Sequence, residues 1–120
     1  MALKKKLFHA GTYDCDYWVI VGNAPQKAGS FVRKLANDKT IINPNGLGAF
    51  YFKEGMSSVI WLRYRPTDLK KMSTLVHECA HASFEVMRWA GIPLTDSSEE
   101  AYTHLVSKMV RDVLGWARKT

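Results

Sequence analysis

The chain has 120 residues, 47% of them apolar, and its formal net charge at pH 7 is +6. This length predicts one domain, residues 1–120, with a modest hydrophobic core. No run of about 18 apolar residues is present, which argues against a membrane span, and the basic N-terminal residues are not followed by the apolar segment of a signal peptide. Because the only cysteines are Cys15 and Cys79, we expect a cytoplasmic protein without a disulfide.

The first elements predicted along the chain are two strands and a helix. Strands are predicted at residues 4–10 and 17–21, with a turn at Gly11 and Asp14 between them. A helix is predicted from near Pro25, because apolar residues then recur at helical spacing, namely Ala28, Phe31, Val32 and Leu35. We expect this helix to pack behind the sheet.

Three more strands are predicted next. Residues 40–42 and 49–53 flank Asn45-Gly46, a pair that is typical of hairpin turns. Residues 57–64 carry bulky side chains on both faces, a pattern that is typical of a strand covered on both sides. This strand directly precedes the helix that carries the motif described below.

A long amphipathic helix is predicted over residues 69–90. Thr67 or Asp68 can cap its N-terminus, and Gly91 ends it in the manner typical of a helix C-terminus. At about 100° per residue, one apolar stripe runs along this helix, and His77 and His81 project away from its centre. The stripe consists of Leu69, Met72, Val76, Cys79, Ala80, Val86, Met87 and Ala90. A solvated polar face that carries two histidines by chance remains the alternative interpretation.

The segment His77-Glu78-Cys79-Ala80-His81 contains the pattern H-E-x-x-H. Histidines four residues apart lie one helical turn above each other, so their two imidazoles can bind one tetrahedral zinc ion. A carboxylate beside them can take the proton of a zinc-bound water as it attacks a carbonyl carbon. The pattern therefore predicts His77 and His81 as zinc ligands and Glu78 as the catalytic base.

A further helix is predicted from Asp96 or Ser97, either of which can cap it, to about residue 116. Its first turn carries two candidates for a third zinc ligand, Glu99 and Glu100. Periodicity places Glu99 nearer to the apolar stripe and Glu100 beside His104. Either carboxylate could instead compensate the helix dipole. The stripe of this helix consists of Tyr102, Leu105, Val106, Met109 and Val113.

The motif, together with Glu100-Ala101-Tyr102-Thr103-His104, resembles the gluzincin metallopeptidases, in which H-E-x-x-H is followed by a ligand glutamate near the start of the next helix. In that pattern an alanine follows the glutamate directly, which selects Glu100 over Glu99. The resemblance implies that His104 orients a zinc-binding histidine, although the family has aspartate there. Residues 77–105 are also similar to small phage-encoded zincin-like metallopeptidases.

This resemblance implies an α+β, minimal zincin-like fold. Such a fold has a small mixed or antiparallel sheet, a backing helix, the motif helix and a C-terminal helix that supplies a ligand. It also implies that an edge strand before the motif helix binds an extended peptide substrate by strand addition. We assign this role to residues 57–63, with an interior strand as the alternative.

The predicted function is zinc-dependent hydrolysis of peptide bonds in a protein or peptide substrate. Zinc is bound by His77, His81 and Glu100 with water in the fourth position, and Glu78 is the general base. One alternative is a zinc-stabilised binding or regulatory module without catalysis. Another is a nucleic-acid-associated protease, which only the positive charge supports, because no nucleic-acid-binding motif is present. The sequence predicts neither a particular substrate nor an oligomeric state.

Overall fold

The computed structural model describes residues 3–39, 45–53, 55 and 57–119. Its elements in chain order are β1 (Lys4–His9), β2 (Asp16–Val21), α1 (Pro25–Ala36), β3 (Gly48–Tyr51), β4 (Ser58–Leu62), α2 (Leu69–Trp89) and α3 (Glu99–Ala117), with a short 3₁₀ turn at Gly11–Tyr13. The fold is α+β, as the sequence predicts. The strand predicted at 40–42 lies outside the described residues.

The four strands form one mixed sheet in the order β1-β2-β4-β3. β1 is antiparallel to β2, β2 is parallel to β4, and β3 is antiparallel to β4. β4 is therefore an interior strand, and every one of its residues is buried. The assignment of residues 57–63 to an edge strand is wrong, because β2 pairs with β4 on the side away from β3. Among the strands that the structure describes, β3 is the one at the edge next to β4.

The sheet is covered on both faces, and the alternating side chains of β2 and β4 divide between two cores. Ile20 and Trp61 face α1 and pack with Val32. Val19 and Ile60 face the other way, towards α2 and α3. This two-sided covering explains why β4 carries bulky side chains on both faces.

Helix α2 begins and ends where the sequence predicts. The carboxylate of Asp68 accepts a hydrogen bond from the backbone N–H of Lys71 at 2.9 Å, which makes Asp68 the N-cap. At the other end Gly91 has φ of +76°, and its N–H donates to the carbonyl of Arg88 at 3.0 Å. This left-handed conformation favours glycine and stops the helix.

The buried face of α2 differs from the predicted stripe. Leu69 is 87% exposed and Val76 is 45% exposed. The buried residues are Leu75, Glu78, Cys79, Ala82, Ser83, Val86 and Met87. The prediction was wrong for the first half of the helix, where Leu75 and Glu78 are buried and the apolar Leu69 and Val76 are exposed.

Helix α3 begins later than predicted. Its N-cap residue is Ser98, not Asp96 or Ser97, and the Ser98 side chain makes no capping hydrogen bond. Its hydroxyl instead donates to the carbonyl of Pro93 at 2.5 Å and accepts from the N–H of Thr95 at 2.9 Å. Because its hydroxyl is bound within the turn between the two helices, the Ser98 side chain does not bond to the free N–H groups at the start of α3. The core side of α3 agrees with the sequence, since Leu105, Met109 and Val113 are buried.

Both cysteines are free thiols. Cys79 is buried in the core between α2 and the sheet, and burial raises its pKa to about 12. This environment fits the predicted role of Cys79 as a small core residue. Among the described helices, none is both long and apolar enough to cross a membrane.

Candidate metal site

His77 and His81 lie on the exposed side of α2, one turn apart, as the sequence predicts. Their Nε2 atoms are 3.2 Å apart, and their ring planes are inclined at 81°. Two nitrogen ligands about 2.05 Å from a tetrahedral zinc ion lie about 3.3 Å from each other. The separation of the two Nε2 atoms therefore fits two ligands of one zinc ion. Without a metal, one ring can donate an N–H to the other.

The carboxylate of Glu78 lies beside the histidine pair but is turned towards the sheet. Glu78 is only 5% exposed, whereas both histidines are exposed. The potential ligand atoms of the three residues all lie within 4.8 Å of one another. Burial raises the pKa of the Glu78 carboxyl, and the charge of His77 opposes this shift. The three residues therefore form a group that can hold a cation.

Strand β3 lies directly against this group. The ring of Phe50 stacks on the ring of His81, with centroids 5.7 Å apart and planes inclined at only 12°. A Cβ atom on Gly48 would lie 3.3 Å from Oε2 of Glu78, 2.8 Å from Cγ2 of Thr74 and 2.9 Å from the carbonyl oxygen of Trp61. Because Gly48 has no side chain, the strand can approach the helix at the level of Glu78.

The proximity of β3 to the histidine pair was not predicted from the sequence. A glycine inside a strand often marks the close approach of another group, and residues 48 and 50 share one face of the strand. That pattern is visible in the sequence. The pairing of β3 with the strand before the motif helix is not, and without it neither residue can be placed beside His77 and His81.

Glu100 and His104 form their own exposed pair on α3. His104 Nε2 lies 3.0 Å from Oε1 of Glu100, and the side chains are 76% and 84% exposed. In the described part of the chain, the group of possible metal ligands contains His77, Glu78 and His81, without Glu100. The role of Glu100 as third ligand therefore stays a prediction.

The first turn of α3 is nevertheless attached to the motif helix close to His81. The hydroxyl of Tyr102 donates to the carbonyl oxygen of Ala80 at 3.0 Å. Glu100 precedes Tyr102 by two residues, so it points to nearly the opposite side of α3. This geometry accounts for its exposure.

The basic residues of β1 are divided between the two faces of the sheet. The ammonium group of Lys5 lies over the ring of Phe31, on the α1 side, at 5.0 Å from the centroid. That of Lys6 lies over the ring of Phe8, which belongs to the other core, at 5.2 Å. The two lysines therefore do not share one binding face.

No protein-family profile matches this chain, and no curated protein or solved structure is significantly similar to it. The geometry of the site therefore carries the functional argument.

Proposed function

We propose that the protein is a zinc-dependent metallopeptidase whose catalytic group is built on α2. The observation that carries the proposal is the Nε2–Nε2 separation of 3.2 Å in the His77–His81 pair, with Glu78 in the same group. The proposed ligands are the imidazoles of His77 and His81 and the carboxylate of Glu100. This set suits zinc better than magnesium or calcium, which prefer oxygen ligands. The resemblance to gluzincins is consistent with this donor set.

Each residue of the proposed site has a definite role. His77 and His81 bind the ion, and Glu100, proposed from the gluzincin resemblance, is the third ligand. For this role Glu100 must leave His104 and the first turn of α3 must rotate, because the side chain now faces away from Tyr102. Bound zinc supplies Lewis acidity, which polarises the carbonyl group and acidifies water. Glu78 takes the proton from the attacking water and passes it to the leaving nitrogen, so that an amine and a carboxylic acid are formed.

The substrate class in this proposal is an extended polypeptide. Among the described residues, β3 lies at the edge of the sheet, where it pairs with β4. An edge strand offers backbone groups to an added strand, and β3 lies next to the histidine pair through Phe50. We place the protein in the cytoplasm in this proposal, a compartment where two free thiols are typical.

The proposal is tested by comparing the wild-type protein with Glu78→Gln. We expect this variant to keep its zinc and to lose hydrolysis of a denatured protein mixture, because the amide cannot accept the proton. The matched control is Glu85→Gln, which changes another carboxylate of α2 and should keep both properties. Zinc content is measured by elemental analysis, and cleavage by mass spectrometry of new peptide termini. An active Glu78→Gln variant would refute the assignment of the base.

A second candidate is a metal-stabilised binding module that does not catalyse hydrolysis. One observation favours it, namely that the Glu78 carboxylate lies close enough to both histidines to act as a ligand itself. A carboxylate that binds the ion is not free to act as the base. In that case Glu78→Gln should lose zinc affinity as strongly as a histidine variant, so the same experiment separates the two functions.

A further inference from the structure

The face of β3 that lies towards α2 carries Gly48 and Phe50, which alternate with Ala49 and Tyr51 on the α1 side of the sheet. Phe50 is paired with Ile60 of β4, and Gly48 is paired with Leu62. Both partners belong to the core beneath α2 and α3, and Phe50 packs against that core. The Phe50 ring is therefore supported from below by buried side chains and contacts His81 from above.

Close contacts at Gly48 keep this part of the strand near the helix. A Cβ atom there would lie 2.8 Å from Cγ2 of Thr74, which is closer than non-bonded carbon atoms approach. The strand thus lies nearer to α2 than a residue with a side chain at position 48 would allow. Two residues further on, the Phe50 ring stacks on His81.

The ring of His81 is held by few other groups. In the part of the chain that the structure describes, its hydrogen-bonding contact is with His77, the other proposed ligand. Histidines that bind a metal usually donate their second ring N–H to a carboxylate or carbonyl group, which fixes the ring orientation. At His81 an aromatic ring lies in the position to limit rotation, with an interplanar angle of 12°.

We infer that Phe50 is a positioning residue for the metal site, which holds the His81 imidazole in the orientation that binds the ion. The inference rests on the proposed metal site but not on hydrolysis. Stacking against a supported aromatic ring restricts the rotation of the imidazole before the metal binds. Less conformational entropy is then lost on binding. Phe50 touches neither the metal nor a reacting atom in this proposal.

The test compares metal affinity among variants of the full chain. Phe50→Leu keeps an apolar side chain but removes the planar ring, and we expect its dissociation constant for Zn²⁺ to rise by about tenfold. Phe50→Tyr keeps the ring and should stay within about twofold of wild type, since the stacking surface is unchanged. Competition with a chromophoric chelator gives the constants, and the visible spectrum of the Co²⁺ form reports the ligand geometry.

The matched control is Phe31→Leu. Phe31 is also a partly buried aromatic residue, but it makes an edge contact with Trp18 on the opposite face of the sheet, with centroids 5.2 Å apart. We expect this variant to bind Zn²⁺ as tightly as wild type. Thermal unfolding of each metal-free variant shows whether a loss of affinity merely follows a loss of stability.

Three results would overturn the inference. Equal Zn²⁺ affinity in wild type and Phe50→Leu would show that the ring does not position His81, while the proposed function stands. An equal loss in Phe31→Leu would assign the effect to general destabilisation. Failure of the wild-type protein to bind Zn²⁺ would refute the proposed function itself, together with the inference that rests on it.

Discussion

Helices α2 and α3 each carry a histidine four residues away from another possible metal ligand. In α2 the Nε2 atoms of His77 and His81 are 3.2 Å apart, and in α3 His104 lies 3.0 Å from Glu100. The α2 pair is flanked by β3, whose Phe50 stacks on one ring, whereas both members of the α3 pair are mostly exposed. The comparison teaches that helical spacing brings two side chains together, while a neighbouring strand restricts their orientation.

The largest difference that we expect between the two pairs is in metal affinity. His81→Ala removes a proposed ligand, so the affinity for Zn²⁺ should fall by more than about 100-fold, beyond the loss typical of residues that only support a ligand. His104→Ala leaves both α2 histidines in place and should change the affinity by less than about tenfold. Competition titration measures both constants. Similar losses in the two variants would mean that the two pairs contribute equally to zinc affinity.

The next largest effect concerns the strand that flanks the α2 pair. Gly48→Ala places a methyl group 2.9 Å from the Trp61 carbonyl oxygen, so β3 must move. We expect this variant to lower the free energy of unfolding by about 2 kcal/mol. The control is Gly115→Ala in α3, where a Cβ atom meets nothing within 4 Å and should stabilise the helix slightly. Urea denaturation compares them, and an equally stable Gly48→Ala variant would refute the close approach of β3.

A smaller effect tests the connection between the two helices. Tyr102→Phe removes the hydrogen bond from the Tyr102 hydroxyl to the Ala80 carbonyl, and we expect the free energy of unfolding to fall by about 1 kcal/mol. Tyr64→Phe is the control, because Tyr64 is 41% exposed and its ring contact with Lys71 does not need the hydroxyl. Chemical denaturation of both variants measures the difference. A Tyr102→Phe protein as stable as the control would show that this hydrogen bond does not tie α3 to α2.

The smallest effect is expected for the α3 pair itself. An exposed pair at this spacing contributes about 0.5 kcal/mol or less, because solvent screens the charges. His104→Ala should therefore leave the unfolding midpoint almost unchanged in the metal-free protein. A clear loss of stability, measured by calorimetry, would show that the α3 pair is more than a surface contact.

The two ends of helix α2 were predictable because their signals are local. Asp68 caps α2 and Gly91 ends it through groups within a few residues of each helix terminus. The H-E-x-x-H spacing likewise placed His77 and His81 on one exposed side of α2. The spacing of residues along a helix is a property of the helix alone, so no knowledge of the fold was needed.

The rest depended on contacts between residues far apart in sequence. The half of α2 that contains Leu69 and Val76 is apolar on more than one side, and the face that becomes buried depends on where the sheet lies. The edge strand could not be predicted, because the parallel pairing of β2 with β4 follows from the path of the chain through α1. For the same reason Gly48 and Phe50 had no visible connection with the metal site. The role of Glu100 as the third ligand stays a prediction.

The parallel pairing of β2 with β4 also has a consequence for the order of folding. Strands joined through a long connection pair late, because the entropy of closing the intervening loop must first be overcome. The histidine pair needs only a turn of helix α2, whereas the contact with Phe50 needs the completed sheet. Under the proposed function, a chain with α2 formed and the sheet incomplete would already bind zinc, although more weakly. Relative to this partly folded chain, zinc would stabilise the native state only by the difference between the two binding free energies. That difference is smaller than the full binding free energy.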